Sequence, residues 1–273
     1  MIVILDSCRF DSFLEAKPKH MMRLGELERR YTYATWTAPS HYNLLIGLLP
    51  HPSPTQVYAS EYYKDDFLKF RERLNFDLDF GKMVPGLWLP QYLRDVQGYH
   101  TSMFVSMPVL NPSTPINRGF DRYQLMPKHN DLRPMIRQMR FYQDRPGFYV
   151  LNTGETHYPY ATPDEAENDY PRIHGVNGVF KHLDDHLRAG KLVHDKDRWF
   201  DEAKMEELRQ RQIQAVRWVD GVIEELYDLV PDNTWITITG DHGDLFGEGG
   251  YFGHGPINHE KVMEVPFVEG RLK

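Results

Sequence analysis

Four short segments constrain the fold of this chain more than any other feature. Residues 2–5 (IVIL), 101–105 (TSMFV), 148–151 (FYVL) and 235–239 (WITIT) are apolar or β-branched almost throughout, and each runs into polar or glycine-containing sequence. Runs of this length and character mark strands buried on both faces of a parallel sheet. Helical patterns lie between them, at about 11–30, 87–96, 132–142 and 201–229. The last is the strongest: Met205, Leu208, Ile213, Val216, Val219, Ile223, Leu226 and Leu229 fall mostly three or four apart and make one apolar stripe. Pro231-Asp232-Asn233 stops that helix before the next strand. Strand and helix alternate from end to end. The expectation is an α/β fold, a three-layer α/β/α sandwich with a mostly parallel central sheet.

With 273 residues, 41% of them hydrophobic, the chain can bury one large core. A single catalytic domain over 1–273 is expected, with an insertion or lid at about 159–198, where charges, Pro, Gly and His interrupt any periodicity. Lys and Arg number 32 against 39 Asp and Glu, a net charge of −7, which argues against a nucleic-acid partner. The lone Cys8 allows no intrachain disulfide. The opening MIVILDSCRFD lacks the basic lead and small-residue cleavage site of a signal peptide. No stretch approaches the roughly 18 apolar residues of a membrane span. A cytoplasmic protein with no membrane partner is the expectation. Oligomeric state leaves no mark in the sequence.

Open α/β sheets bind ligands beyond the carboxyl ends of their strands. That rule gathers Asp6, the segment 153–158 and Asp241-His242 at one rim. The adjacent carboxylate and imidazole of Asp241 and His242 suit Zn²⁺, Mn²⁺ or a similar ion, and flanking glycines let the backbone turn sharply. Beyond them a glycine-rich stretch carries His254 in Gly-His-Gly. Asp6 suits a metal ligand or a helix cap. In ATWTAPSHYNLLIGLL, Thr37 stands where a helix N-terminus favours an anion, so it reads either as a metal-activated nucleophile or as a simple N-cap. Arg9 suits an anionic substrate or a local salt bridge. Cys8 reads as a small hydrophobe, and Asp220 as a structural or capping group. His174, His182, His186 and His194 match no metal-ligand spacing and read as solvated lid residues. Tyr62, Tyr63, Trp88, Tyr158 and Tyr160 are candidates for a pocket around an organic moiety.

Taken in order, MIVILDSCRFDSF, TWTAPSHYNLLIGLLP, LPQYLRDVQGYHTSMFV, NRGFDRYQ, YVLNTGETHYPY and DNTWITITGDHGDLFGEGGYFGHG resemble the alkaline phosphatase and sulfatase superfamily, in particular its sulfatase-like branch. The resemblance implies an alkaline phosphatase-like fold. It implies Asp6, Asp241 and His242 as metal ligands, Thr37 as nucleophile and fourth ligand, and His157 and His254 as contacts to the non-reacting oxygens of a phosphoryl or sulfuryl group. The substrate would be a small anionic ester. Relatives that cleave sulfate esters carry a Cys-x-Pro-x-Arg type of motif whose cysteine or serine becomes formylglycine. Thr37 cannot be converted that way, and His41 stands at the arginine position. This favours a metal-dependent phosphodiesterase or phosphotransferase over sulfate-ester or phosphonate hydrolysis, with a non-catalytic metal-containing binding protein as the alternative of another class. The Asp-x-x-x-His element of two-metal relatives is missing, so one divalent ion is expected, Mn or Zn rather than Ca or Mg. Glu155, His157 and His254 remain as ligands for a possible second ion.

Overall fold

Alternate residues of the first strand, β1 (Ile2–Leu5), face opposite helical layers. Val3 and Leu5 pack with Phe13, Ile213, Val216 and Ile223, whereas Ile2 and Ile4 pack with Leu44, Leu45, Leu89 and Leu93. A strand buried on both faces cannot show the apolar–polar alternation of a half-exposed one, which is why IVIL is continuous. The structure, a computed structural model, describes residues 1–53, 88–171, 173 and 201–272.

In chain order, β1 is followed by α1 (Phe10–Ala16), β2 (Glu28–Tyr31), α2 (Thr37–Leu45), α3 (Leu89–Asp95), β3 (His100–Val105), β4 (Arg122–Leu125) and α4 (Arg133–Gln138). Then come β5 (Gly147–Thr153), α5 (Glu202–Leu229), β6 (Trp235–Gly240), the short pair β7 (Leu245–Phe246) and β8 (Phe252–Gly253), α6 (Glu260–Met263) and β9 (Glu264–Arg271). The main sheet has the order β2-β9-β6-β1-β5-β3-β4. From β6 to β4 every pairing is parallel. β9 runs antiparallel to both β6 and β2. Helices α1, α4 and α5 cover one face, and α2 and α3 the other. This is the expected three-layer, mostly parallel architecture.

The expected helix over about 11–30 is three elements instead. α1 ends at Lys17, which takes a left-handed conformation (φ 52°), and Pro18 cannot extend a helix. A 3-10 turn at Met21–Arg23 follows, and its entry is capped by Asp220, whose carboxylate accepts from the amides of His20 and Met21. Residues 28–31 then leave the helical layer and pair with β9. The helix expected over about 201–229 is α5, started by Asp201 accepting from the Ala203 amide. Of the expected insertion, residues 159–171 and 173 are described. The rest of it, with His174, His182, His186 and His194, lies outside the described residues, as do Tyr62 and Tyr63. Among the described residues no helix is long and apolar enough to cross a membrane.

Candidate metal centre and active site

Strand register brings the chemistry together. Leu5 lies opposite Gly240 of β6 on one side and Thr153 of β5 on the other, so Asp6, Asp241 and Gly154 emerge side by side at the carboxyl edge. Ser7 adopts φ 59°, a left-handed turn that points its amide at Asp241. Gly243 is packed so tightly that a Cβ there would meet the Lys261 carbonyl oxygen at 2.1 Å. A glycine is therefore required directly after His242.

Each ligand candidate has one atom committed to the protein and one left over. Asp241 Oδ1 accepts from the amides of Ser7 and His242, both at 3.0 Å, while its Oδ2 is buried without a hydrogen-bond partner. Asp6 Oδ2 accepts from Asn152 Nδ2 at 2.8 Å, and its Oδ1 lies 3.3 Å from both Thr37 Oγ1 and Ser7 Oγ. His242 Nδ1 sits 3.0 Å from the Gly243 carbonyl, which only accepts, so Nδ1 carries the hydrogen and Nε2 keeps its lone pair. That Nε2 is 3.3 Å from Thr37 Oγ1, 3.4 Å from Asp241 Oδ2 and 4.0 Å from Asp6 Oδ1. Tetrahedral zinc with bonds of about 2.0–2.2 Å separates its ligand atoms by roughly 3.3–3.6 Å. Thr37 Oγ1 to Asp6 Oδ1, Thr37 Oγ1 to His242 Nε2 and His242 Nε2 to Asp241 Oδ2 fall in that range, whereas the 4.0 Å between His242 Nε2 and Asp6 Oδ1 exceeds it. Thr37, at 3% exposure, opens α2, but its hydroxyl makes no cap. The N-cap is Trp36, and the hydroxyl donates to Asp6 instead.

The electrostatics of these residues suit a cation at this edge. Burial, and then the Asp6 charge, push Asp241 well above the ordinary carboxylate range. Burial acts on Asp6 in the same direction, but the imidazoles of His157, His242 and His41 and the Asn152 amide outweigh it and hold Asp6 low. Two carboxylates this close and this dry cannot both ionise without a cation between them. Burial, and then His254, lower the His242 imidazole to about 3, so it is neutral and able to coordinate.

A family model described as Sulfatase matches residues 19–268 of this chain. The chain belongs to the sulfatase family. The match begins after β1, so Asp6 lies outside the matched span although it sits at the centre of the sheet edge. No curated protein matches the chain in sequence. Among solved structures it is similar to the C-terminal periplasmic domain of the phosphoethanolamine transferase EptC from Campylobacter jejuni, with TM-score 0.53, 12% identity, and coverage of 99% of this chain and 78% of that one. It is also similar to the periplasmic domain of EcEptC from Escherichia coli in complex with Zn, with TM-score 0.53, 14% identity, and coverage of 100% and 72%. The phosphonate monoester hydrolase of Agrobacterium radiobacter aligns with TM-score 0.55 and 16% identity over 98% of this chain and 67% of that one. At these identities the likeness is one of fold, and the fold is alkaline phosphatase-like.

Around the ligands of this sulfatase-family site, His157 and His254 stand together, with ring centroids 5.3 Å apart, and the His254 ring is 4.2 Å from that of His242. Arg9 lies nearby but is engaged: at 2% exposure it pairs with Asp11 and Glu248, both at 2.6 Å, and donates to the Asp244 carbonyl. Glu155 is fully buried and accepts from the Leu132 amide and the Thr153 hydroxyl. Burial raises its carboxyl to about 7. Two groups among the described residues have metal-ligand geometry, Asp6–Asp241–His242 and His242–Asp244–His254, and neither includes Glu155 or His157. Both groups need His242, which has only Nε2 to offer.

Several residues at the site went unread in the sequence. Asn152 anchors Asp6, and Gln212 reaches from α5 to the carbonyls of Ser7 and Thr156, at 2.9 Å each. His41, read in the sequence only as standing at the arginine position, is fully buried, donates from Nδ1 to the Thr37 carbonyl at 2.8 Å, and lies 3.6 Å from Asp241 Oδ2. Asp244 binds His254 and Tyr160. Only Asp244 carried a local signal, an acid two residues past the Asp-His pair.

Proposed function

We propose that this chain is a metal-dependent hydrolase or transferase of phosphate esters, with Thr37 as nucleophile and Asp6, Asp241, His242 and Thr37 holding one divalent ion. The observation that carries the reading is the convergence of Asp6 Oδ1 and His242 Nε2 on the Thr37 hydroxyl, with the unpartnered Asp241 Oδ2 3.4 Å from the same imidazole nitrogen. Zn or Mn suits a donor set of two carboxylates, an imidazole and a hydroxyl, and a neighbour of the same fold has been crystallised with Zn. When bound, the ion would lower the Thr37 pKa and offset charge on the group transferred.

The rest of the chemistry belongs to the chain's own residues. Thr37 Oγ1 attacks phosphorus in line. Its proton, hydrogen-bonded to the Asp6 carboxylate in this structure, passes to solvent water as the new oxygen–phosphorus bond forms. The ester oxygen departs with its bonding pair and is protonated from water. Water or an acceptor alcohol then attacks the phosphothreonine and restores the hydroxyl. His157, whose Nδ1 donates to the Tyr158 carbonyl at 2.8 Å, and His254 are placed to contact the non-reacting oxygens through Nε2. Arg9 would act on the substrate only by leaving its pairs with Asp11 and Glu248, so in this reading it steadies the loop. A cytoplasmic location remains part of the proposal, to be checked by fractionation, since two of the fold neighbours are periplasmic domains.

The family and the Agrobacterium hydrolase support sulfate or phosphonate esters as a second reading. One experiment separates them: metal content, with cleavage of a bis-aryl phosphate, an aryl phosphate, an aryl phosphonate and an aryl sulfate, for wild type and Asp241→Asn. We expect metal-dependent phosphate-ester cleavage that the variant loses. Preference for the sulfate or phosphonate would select the second reading. Metal bound without cleavage of any ester would leave a selective transferase or a binding protein, and no metal after reconstitution would overturn the function altogether.

A further inference from the structure

Two groups without a part in that chemistry form a chain behind His254. The Tyr160 hydroxyl donates to Asp244 Oδ2 at 2.8 Å, and Asp244 Oδ1 lies 2.6 Å from His254 Nδ1. Tyr160 and Asp244 are each 1% exposed. A carboxylate oxygen accepts, and Asp244 takes the Tyr160 hydroxyl hydrogen on Oδ2 while its Oδ1 faces the imidazole. The hydrogen on the short contact therefore sits on Nδ1. Nε2 has no hydrogen-bond partner among the described residues and is the nitrogen available to a ligand.

The carboxylate itself is held from several sides. Tyr160 is locked in an apolar cluster with Met205, Leu208, Phe246 and Phe252, its ring 5.3 Å from that of Phe246. The Asp244 carbonyl accepts from Arg9, which Asp11 and Glu248 fix in place. On its other side the His254 ring lies against His242 and His157. A histidine on a glycine-rich loop would otherwise turn freely about two side-chain torsions.

The geometry points to Asp244 and Tyr160 as positioning residues that fix the ring and tautomer of His254, presenting Nε2 to a tetrahedral oxyanion at Thr37. This inference rests on the function proposed above for its ligand class, but its test does not depend on turnover. Orthophosphate affinity would be measured calorimetrically on the zinc-loaded protein for wild type, Tyr160→Phe, Asp244→Asn, His254→Ala and the Asp244→Asn/His254→Ala double variant. Zinc content and thermal unfolding would be followed alongside. Asp244→Asn is expected to weaken phosphate about 10-fold and Tyr160→Phe about 3-fold, both with full zinc content, and the double variant should bind like His254→Ala alone. Additive losses in the double variant would overturn the proposal, because Asp244 would then act other than through His254. Loss of zinc in Asp244→Asn would also overturn it, making Asp244 a metal ligand with His242. Imidazole ¹⁵N shifts supply a readout that needs no ligand. Wild-type His254 should carry its hydrogen on Nδ1, and a ring protonated on Nε2 alone would overturn the proposal. Failure to cleave any ester, with both readouts as expected, would remove the enzymatic reading and leave this one standing.

Discussion

Thr37 and Glu155 show how differently two buried polar side chains at one sheet edge are used. Thr37 donates to Asp6, and its oxygen lies 3.3 Å from His242 Nε2, the surroundings that the proposed nucleophile role would use. Thr37→Ala should lower ester turnover by about 10³-fold or more while most metal binding persists on the three remaining ligands. Single-turnover assays with metal analysis check this, and normal activity would remove Thr37 from the mechanism. Glu155 is instead shaped to be neutral. Its carboxyl is raised from 4.5 to about 7 in the fold, so the folded state binds the proton more tightly than the unfolded state does. The stability this provides is complete below about pH 4.5 and is lost as pH rises through about 7, on the order of 3 kcal/mol in all. Glu155→Gln should flatten that part of the stability–pH curve, as denaturant melts between pH 5 and 8 would show.

Among the elements, α5 does more than cover the sheet. Its apolar stripe packs on β1, β6 and α1, but Gln212 interrupts the stripe at a fully buried position. The amide of Gln212 donates to the carbonyls of Ser7 and Thr156 and accepts from the Arg9 amide, so one helical side chain ties the loops after β1 and β5 together. Gln212→Ala strands those three backbone groups away from water. The expected loss is about 1–3 kcal/mol of stability, with weaker metal affinity because Asp6 precedes the released loop. A variant that melts like wild type and binds metal equally well would refute this role. β9 is a different lesson. Pro266 lies inside it, yet the β6–β9 ladder ends at Thr239 and Phe267, so the proline faces no ladder partner on that side. Its carbonyl is still used, accepting from the Thr239 hydroxyl at 2.9 Å.

For the molecule as a whole, the proposed metal centre sits where β1, β5 and β6 meet, in the middle of the seven-stranded sheet. Charge compensation there is coupled to global stability. Chelation should lower the melting temperature, since Asp6 and Asp241 are then left facing each other in a dry site. Zn²⁺ or Mn²⁺ at about 1,000 times its dissociation constant should restore about 4 kcal/mol. In Asp241→Asn the gap between stripped and loaded protein should shrink, and the stripped variant should melt above stripped wild type. Scanning calorimetry with and without chelator decides it, and equal melting of stripped and loaded wild type would contradict a structural load on the ion.

Much of this protein was determined by local sequence. Continuous apolar runs such as IVIL can be satisfied only by burial on both faces, the stripe of α5 allows one docking face, and polar residues just beyond strand ends fall at the ligand-binding edge. That rule is why Asp6, Asp241 and His242 could be assigned to one edge, whereas Thr37, which spacing alone reads as an N-cap, was singled out by the family resemblance. The 28–31 strand, ERRY, was not, because its pairing partner β9 lies more than two hundred residues away and supplies the preference that the residues lack themselves. Tertiary structure alone decided the register that sets Leu5 between Gly240 and Thr153, which carboxylate oxygens are left without a partner, and the tie of Arg9 to Asp11 and Glu248. These depend on contacts between distant segments, where a shift of one residue would turn every side chain to the opposite layer.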